Sequence, residues 1–220
     1  MYLFFKRLLD LVISISTLIL LLPLFIPIVI LLKLTGEGEI FFLQKRIGHN
    51  ANYFDIFKFA TMLKDSPNIG AGMITLRNDP RVTPLGGFLR KTKINELPQI
   101  LNVIKGDMSI VGPRPTVKKH FEAYPRDIGL EIYSSKPGIT GVGSIIFRDE
   151  EELISTSGMD PFIYYKDVII PYKGKLELWY RNNASLFIDC LIIFLTAWVI
   201  LFPKSNLHYK LLKYLPKRQF

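Results

Sequence analysis

The sequence predicts a mostly helical α+β fold in which one small domain is attached to a membrane. Three observations predict it: an uncharged run near the N-terminus, two short β-rich segments that follow this run, and an apolar segment with a basic tail near the C-terminus. A chain of 220 residues is long enough for one compact domain with such an attachment, but it is short for two domains.

The N-terminal segment, residues 1–34, is predicted to form a membrane helix. No residue is charged over the 22 positions from Leu11 to Leu32. A helix of that length reaches about 33 Å, which is enough to cross a bilayer. Pro23 and Pro27 lie within the run, and each removes a backbone donor, so the helix is expected to break or kink there. Because positive charge stands at both ends of the run, a kinked spanning helix and a helix that re-enters the same face fit equally well.

Residues 35–182 are predicted to form the domain itself. The stretches EIFFLQKRIG and YFDIFKFATM are rich in β-branched and aromatic residues, which predicts two short strands. Between residues 97 and 104 the apolar residues recur at helical spacing, which predicts an amphipathic helix with one buried face. The aromatic segment at residues 161–179 fits either the core or a dimer interface.

The last part, residues 183–220, is predicted to form an apolar helix and a membrane-surface tail. The 12 uncharged residues from Leu191 to Phe202 are too few to span a bilayer but suit a buried or interfacial helix. Basic residues then alternate with apolar ones, the composition of an amphipathic helix on an anionic membrane surface. The basic residues are Lys204, Lys210, Lys213, Lys217 and Arg218.

The composition limits the classes of partner. The formal net charge is +9 and 49% of the residues are hydrophobic, which fits nucleic acid, anionic lipid or phosphorylated substrates. No nucleic-acid-binding motif is present and the basic residues adjoin the membrane segments, so we expect no nucleic-acid partner. The single cysteine, Cys190, excludes an internal disulfide and a cysteine-based zinc cluster.

Arginines, lysines and isolated carboxylates accumulate between residues 44 and 115. Guanidinium groups suit phosphate oxygens, and carboxylates among them suit a divalent ion that bridges a diphosphate. Arg114 lies between Pro113 and Pro115, which stiffen the backbone that presents it. The pattern therefore predicts a phosphate site. The cations are Arg46, Lys58, Arg77, Arg81, Arg90, Lys91, Lys93 and Arg114, and the carboxylates are Asp79, Glu96 and Asp107.

A series of motifs carries a family resemblance. In chain order they are KRLLDLVISISTLILLLP, FFLQKRIG, FKFATM, NDPRVTPLGGFLRKTKINELPQILNVIKGDMSIVGPRP and KPGITGVG. They cover most of the chain from Lys6 to about Gly143 and resemble the bacterial sugar transferases, the monotopic phosphoglycosyl transferase superfamily. The C-terminal stretch NNASLFIDCLIIFLTAWVIL is also similar to the ending of that family.

The resemblance implies an activity and a location. It implies transfer of a sugar-1-phosphate from a UDP-sugar to polyprenyl (undecaprenyl) phosphate, with release of UMP, as the initiating step of surface polysaccharide or glycoconjugate synthesis. It also implies Mg²⁺ as cofactor, membrane lipid as a partner, and the cytoplasmic face of the bacterial inner membrane as the location. For the N-terminal helix it implies re-entry.

The resemblance also implies roles for single residues. The family has an Asp-Glu pair, in which the aspartate is the nucleophile and the glutamate holds the metal. Glu96 matches the glutamate, Asn95 stands at the nucleophile position, and Ala60 stands where the family usually has an arginine. The matching candidates for substrate binding are Arg90 and Arg114, and the other candidates are Lys58, Arg46, Arg81, Pro113 and Pro115.

The amide at position 95 leaves three alternatives. The protein is an active transferase without an aspartyl intermediate, through direct attack by the lipid phosphate or through a changed role of Glu96. Alternatively, it binds the substrates without turnover and serves as a membrane-bound partner in a glycan assembly complex, or the block is purely structural. In the last case Asn95 caps a helix that continues through Glu96 and Leu97, a role that is also compatible with catalysis.

Overall fold

The computed structural model describes residues 1–35, 37–66 and 79–220 of the chain. The described part is mostly helical and contains two small sheets, which agrees with the predicted fold class. Arg77, one of the predicted phosphate ligands, lies outside the described residues. The helices are α1 (Tyr2–Leu34), α2 (Pro84–Lys91), α3 (Gln99–Lys105), α4 (Lys118–Phe121), α5 (Arg126–Ile132), α6 (Val142–Ile146), α7 (Glu150–Thr156), α8 (Pro161–Tyr164), α9 (Ile170–Asn183), α10 (Leu186–Leu201) and α11 (Leu207–Leu211).

The two predicted strands are confirmed as an antiparallel hairpin, in which β1 (Phe41–Ile47) pairs with β2 (Tyr53–Phe59). Successive side chains of a strand point to opposite faces, so Ile56 and Phe59 pack in different directions. Ile56 belongs to the main core, and Phe59 belongs to a second cluster that includes the end of α1. The hairpin therefore lies between the main core and the end of α1.

A second, parallel pair of strands holds the loop that follows residue 111. Strand β3 (Ser109–Val111) pairs with β4 (Gly138–Thr140), which extends through the glycine-rich segment of the sequence. A Cβ on Gly138 would collide with the backbone of Gly112. The two backbones approach closely because neither residue carries a side chain.

Helix α1 is long and apolar enough to cross a membrane, by length and composition. It is one continuous helix that includes Pro23 and Pro27, so a break there is wrong, while a kink at these prolines stays a prediction. The two prolines are four residues apart, and each removes one backbone hydrogen bond. The remaining backbone hydrogen bonds keep the segment helical.

The first part of α1 is fixed to the domain by polar contacts. Arg7 donates to the carbonyl oxygens of Val103 at 2.6 Å and Ile104 at 2.8 Å, in the last turn of α3. Asp10 is buried and accepts from Ser109 Oγ at 3.0 Å and from the backbone N–H of Ile110 at 2.9 Å. These contacts place the Arg7 cation at the carbonyl end of α3, where the helix dipole is negative, and they join α1 to α3 and β3.

The later part of α1 contacts the same domain through apolar side chains. Phe25 packs edge-to-face on Phe59 with the ring centroids 5.2 Å apart, and Ile28 and Leu32 join the same buried cluster with Leu89 of α2. Both parts of the helix therefore contact one domain, while most of the apolar surface between them is exposed.

The main core is formed by α9, α10 and the segments that surround them. Tyr165 and Leu176 are buried in this core, which assigns much of the aromatic segment at residues 161–179 to the interior. In α10, Ile192 and Leu195 are buried while Phe187 and Leu201 are exposed, as expected for a helix with one buried face. The predicted apolar helix is therefore confirmed, and one of its faces is buried.

The C-terminal tail differs from the predicted surface helix. Helix α11 spans only five residues, and Leu212 and Leu215 beyond it are buried in the core. Arg218 pairs with Asp149, with Nη1 2.6 Å from Oδ2, so this arginine is not available to lipid. The residues that follow α11 are therefore held by packing in the core and not by a longer helix. The basic residues of the tail that remain exposed are Lys204, Lys210, Lys213 and Lys217.

Candidate active site

Three separate segments bring the predicted phosphate ligands together. Lys58 comes from the end of β2, Glu96 from a short 3-10 turn at Ile94–Glu96, and Arg114 from the loop after β3. Lys93 precedes the 3-10 turn in the left-handed conformation, with φ +61°, and so redirects the chain between α2 and α3. The residues are far apart in the sequence, and the fold places them around one carboxylate.

Glu96 is the carboxylate at the centre of this cluster. Its Oε1 lies 3.7 Å from Lys58 Nζ, and its Oε2 lies 3.6 Å from Arg114 Nη2. Burial raises the pKa of Glu96, but the positive charges of Lys58, Arg114 and Lys93 outweigh it and hold the pKa below its ordinary value. Glu96 is therefore ionised at neutral pH. Both ion-pair distances exceed hydrogen-bond length, and the side chain of Gln99 is a further hydrogen-bond partner of this carboxylate.

Positive charge accumulates beside Glu96. Burial lowers the pKa of Lys58, and the negative charge of Glu96 offsets part of this effect. Arg46 donates from Nη2 to Gln44 at 2.7 Å, while its buried Nε has no hydrogen-bond partner within the described part of the chain. Arg46, Lys58 and Arg114 line a common small cavity of about 20 Å³. Such a group of closely spaced, partly unpartnered cations suits phosphate oxygens.

Asn95 faces a larger, mostly apolar cavity. The residue is 8% exposed, and its Oδ1 is buried with no hydrogen-bond partner among the residues that the structure describes. It lines a cavity of about 390 Å³ together with Lys58, Arg90 and Ala60. A buried acceptor without a partner costs about 1–3 kcal/mol, so this amide is placed at a cost to stability.

The structure does not use Asn95 as a helix cap. Asn95 lies inside the 3-10 turn, and α3 begins only at Gln99, with Pro98 in the cap position. The interpretation of Asn95 as a simple N-cap is therefore wrong. The left-handed residue at Lys93 starts a separate turn ahead of α3, which moves Asn95 away from the helix terminus.

Arg81 does not join the phosphate cluster. Its Nε lies 2.8 Å and its Nη2 2.6 Å from the carboxylate of Asp79, and its Nη1 donates to the Ser66 carbonyl at 2.6 Å. The side chain is buried, so it holds a loop in place. The prediction of Arg81 as a substrate ligand is corrected on this geometry. Arg90, by contrast, lies in the last turn of α2 and lines the cavity of Asn95.

A second cavity, of about 200 Å³, lies beside Arg114 and was not predicted from the sequence. Arg46, Arg114 and the two prolines that flank Arg114 line one part of it, and α9 contributes Lys173 and Glu177. Glu177 is 4% exposed. Burial raises its pKa to about 7, although the charge of Lys173 and the backbone N–H of Gly143 act in the opposite direction. The four-residue spacing of Lys173 and Glu177 was the signal in the sequence that could have indicated a shared polar face.

We expect Glu177→Gln to stabilise the protein above neutral pH. The folded-state pKa of about 7 lies above the ordinary value of 4.5, so the unfolded chain loses this proton first and the native protein loses stability as the pH rises between these values. The loss reaches about 3 kcal/mol above pH 7 and is absent near pH 4. Denaturant unfolding in detergent at pH 5, 7 and 8.5 measures it.

Glutamine does not titrate, so the gain of the variant over the natural protein should grow with pH and then level off. Glu131→Gln, on the neighbouring helix α5, changes a half-exposed carboxylate in the same way and is expected to have little effect. An equal gain at all three pH values would show that Glu177 does not titrate as inferred.

The oxygen atoms around Glu96 offer few ligands for a divalent cation. Among the described residues no group of three or more His, Cys, Asp and Glu side chains encloses a metal site. Mg²⁺ usually takes one or two protein oxygens and completes its shell with water and substrate phosphates. The Glu96 carboxylate, with the unpartnered amide oxygen of Asn95 as its sequence neighbour, fits this requirement.

Comparison with known proteins adds a family. A family model described as bacterial sugar transferase matches residues 1–203. The exopolysaccharide production protein ExoY of Sinorhizobium fredii is 36% identical over 216 residues, which cover 91% of this chain and 87% of the relative. The UDP-N-acetylgalactosamine-undecaprenyl-phosphate N-acetylgalactosaminephosphotransferase of Aeromonas hydrophila is 34% identical over 202 residues, which cover 91% of this chain and 44% of the relative.

A third relative is the undecaprenyl-phosphate galactose phosphotransferase of Salmonella typhimurium. It is 34% identical over 213 residues, which cover 90% of this chain and 40% of the relative. The chain therefore spans less than half of the two longer relatives and most of ExoY.

Proposed function

Because this chain belongs to the bacterial sugar transferase family, we propose that it transfers a sugar-1-phosphate from a UDP-sugar to undecaprenyl phosphate and releases UMP. This reaction initiates the synthesis of a polysaccharide. The observation that carries the proposal is the cluster of Lys58, Arg46 and Arg114 around Glu96. Both substrates are phosphate anions, and phosphoryl transfer depends mainly on positioning and on neutralising negative charge.

The transfer step proceeds without a covalent intermediate at Asn95. An amide is a far poorer nucleophile than a carboxylate, so the side chain does not form an acyl phosphate. Instead, an oxygen of the lipid phosphate attacks the phosphorus that carries the sugar, and the bond from that phosphorus to the UMP oxygen breaks. One P–O bond forms as another breaks, and no proton has to move.

The residues around Glu96 divide the work of this step. Arg114 and Lys58 hold phosphate oxygens and neutralise the charge that they carry. Glu96 and the Oδ1 of Asn95 would hold Mg²⁺, which when bound supplies further neutralisation of the diphosphate. The amide of Asn95 thus orients substrate and cation as a neutral oxygen donor.

The cavity of about 390 Å³ is the site for the lipid phosphate. Its lining includes Phe41, Phe42 and Leu43 of the hairpin, which are partly exposed, as well as the cations Lys58 and Arg90. Phe59, in the same lining, packs on Phe25 of α1. A polyprenyl chain that lies along the membrane helix would therefore reach the cations with its phosphate.

The contacts of α1 support a membrane arrangement. A helix that crossed the bilayer would carry one of its ends to the opposite side, whereas both parts of α1 contact the same domain. We therefore propose that α1, residues 1–34, is re-entrant at the cytoplasmic face of the inner membrane, and that it bends at Pro23 and Pro27 without breaking there. Residues 35–182 form the transferase domain, and residues 183–220 contribute exposed lysines for anionic lipid.

The test uses Asn95→Asp and the release of UMP. The natural protein, purified in detergent with Mg²⁺ and a panel of UDP-sugars, is expected to release UMP only when undecaprenyl phosphate is present. The variant is expected to release up to one equivalent of UMP without the lipid, because an aspartate can form a sugar-phosphate adduct. Intact mass spectrometry of the protein detects that adduct.

Two controls define the outcome. Asn52→Asp makes the same change at an exposed position and is expected to behave as the natural protein. The double variant Ala60→Arg, Asn95→Asp has a cation in the same cavity, which reduces the cost of the buried carboxylate. It is expected to release more UMP in the lipid-independent burst than Asn95→Asp alone. A lipid-independent burst in the natural protein would contradict direct transfer. If only the aspartate variant releases UMP, with or without lipid, the natural protein is a binding partner and not an enzyme.

A further inference from the structure

We propose that the cavity of about 200 Å³ beside Arg114 is the subsite for the sugar ring of the donor, and that Glu177 accepts a hydrogen bond from a sugar hydroxyl there. This inference rests on the proposed transferase function and extends it to the residue that selects the sugar. Nothing in the sequence motifs points to α9, so the inference depends on the structure alone.

The location of the cavity links it to the phosphate cluster. Arg46, Arg114 and Pro115 line both this cavity and the small cavity that Lys58 shares. A donor whose diphosphate is held by these cations therefore has this cavity as a neighbouring space. The lipid cavity, by contrast, is lined by Lys58, Arg90 and Asn95 and is mostly apolar.

The size of the cavity limits its occupant to one ring. Pockets for drug-sized ligands usually have volumes of about 300–1,000 Å³, so a cavity of about 200 Å³ is too small for a whole nucleotide sugar. The lining combines the aromatic rings of Tyr133 and Tyr165 with the polar groups of His120 and Lys173. Aromatic surfaces together with several donors and acceptors suit a ring that carries many hydroxyl groups.

Most of the polar groups in this lining already have partners. Lys173 pairs with Glu150, and the Tyr133 hydroxyl donates to the Arg114 carbonyl at 2.8 Å. In Glu177, the carboxylate accepts from the Gly143 backbone N–H, but the buried Oε2 has no hydrogen-bond partner anywhere in the described ranges. Because an acceptor that is 4% exposed and unpartnered is costly, this oxygen is available to a ligand.

Within this cavity, whose lining also includes the cations Arg46, Arg114 and Lys173, the carboxylate of Glu177 favours a sugar over a phosphate at its own end. A carboxylate repels phosphate oxygens but accepts readily from hydroxyl groups. Burial raises the pKa of Glu177 to about 7, so near neutral pH it is able to accept from one hydroxyl or donate to another. Two sugars that differ in one hydroxyl would present different groups to this oxygen.

Gly143 provides an independent way to move the carboxylate. A Cβ at position 143 would collide with Oε1 of Glu177, so Gly143→Ala displaces this flexible group without changing its chemistry. Glu177→Gln keeps the shape and removes the charge. The two variants act on the same carboxylate by different means, so a loss of folding in one of them does not remove the test.

The experiment compares the affinities for UDP-sugars and for UDP, in detergent with Mg²⁺ and without lipid phosphate. The panel is UDP-glucose, UDP-galactose and their N-acetylated counterparts, and the proteins are the natural form, Glu177→Gln, Gly143→Ala and the control Glu131→Gln. We expect the natural protein to bind one UDP-sugar more tightly than UDP. Both cavity variants should lose about tenfold or more of that preference and rank the sugars differently, with UDP affinity unchanged.

Three results would overturn the inference: an equal loss of UDP and UDP-sugar affinity, which would place the nucleotide in the cavity; no change in either affinity; or no preference for any sugar over UDP in the natural protein. The readout is binding, so it is separate from turnover. Absence of UMP release with the expected binding pattern intact would contradict the transferase proposal and leave the sugar subsite in place.

Discussion

Glu96→Gln is expected to lower the lipid-dependent release of UMP about 100-fold or more. The substitution removes the negative charge between Lys58 and Arg114 and with it the carboxylate that would hold Mg²⁺. Loss of one preorganised charged group from a phosphate-transfer site typically reduces the rate by this order. The measurement is the initial rate of UMP release with the preferred UDP-sugar, undecaprenyl phosphate and Mg²⁺.

The control for this prediction is Glu122→Gln, which removes an exposed carboxylate that pairs with Lys118 and is not part of the cluster. It is expected to leave the rate within about twofold, as for other surface ion pairs. Thermal unfolding of Glu96→Gln separates lost catalysis from lost folding, because Lys58 and Arg114 face each other in the variant. A rate above half of the natural rate in Glu96→Gln would contradict the assigned role.

Asp10→Ala is expected to lower the free energy of unfolding by about 2–4 kcal/mol. Asp10 is buried, and its Oδ1 accepts from Ser109 Oγ and from the Ile110 backbone N–H. Alanine leaves both donors without a partner, and each buried unsatisfied group costs about 1–3 kcal/mol. Denaturant unfolding in detergent measures the change, and limited proteolysis near residue 35 reports the release of α1 from the domain.

Asp10→Asn is the matched control because its amide oxygen still accepts from both donors. It should retain most of the stability, while Ser109→Ala should lose about 1 kcal/mol. If Asp10→Ala unfolds at the same denaturant concentration as the natural protein, the contact between α1 and β3 does not hold the membrane helix to the domain.

The elements that depend on local pattern were predicted well from the sequence. Strands β1 and β2 follow from runs of aromatic and β-branched residues, and α10 follows from an apolar run of limited length. The structure at the end of the chain was not predicted correctly. Leu212 and Leu215 lie beyond the last helix and pack in a core that distant segments form. A sequence window contains no information on that core.

The candidate site was predicted in part. The motif around Glu96 and Arg114 indicated a phosphate site, and the structure brings both residues together with Lys58. The motif gave no indication that Arg81 already forms an ion pair with Asp79, because an acidic residue two positions away is also common in loops. Glu177 was not predicted as a site residue because its importance depends on its burial. The sequence alone does not show that a charged residue in a helical segment is buried.

The distance in sequence between α1 and its partners has a consequence for biogenesis. Arg7 and Asp10 leave the ribosome about a hundred residues before their partners Val103 and Ile110. Asp189, the partner of Lys6, is synthesised later still. A carboxylate without a partner is costly in hydrocarbon, so the first turns of the nascent helix stay in the headgroup region until β3 has been made. In the cytoplasmic arrangement proposed above, the beginning of the apolar segment therefore stays at the membrane surface during synthesis, and the later folding of the domain fixes the topology.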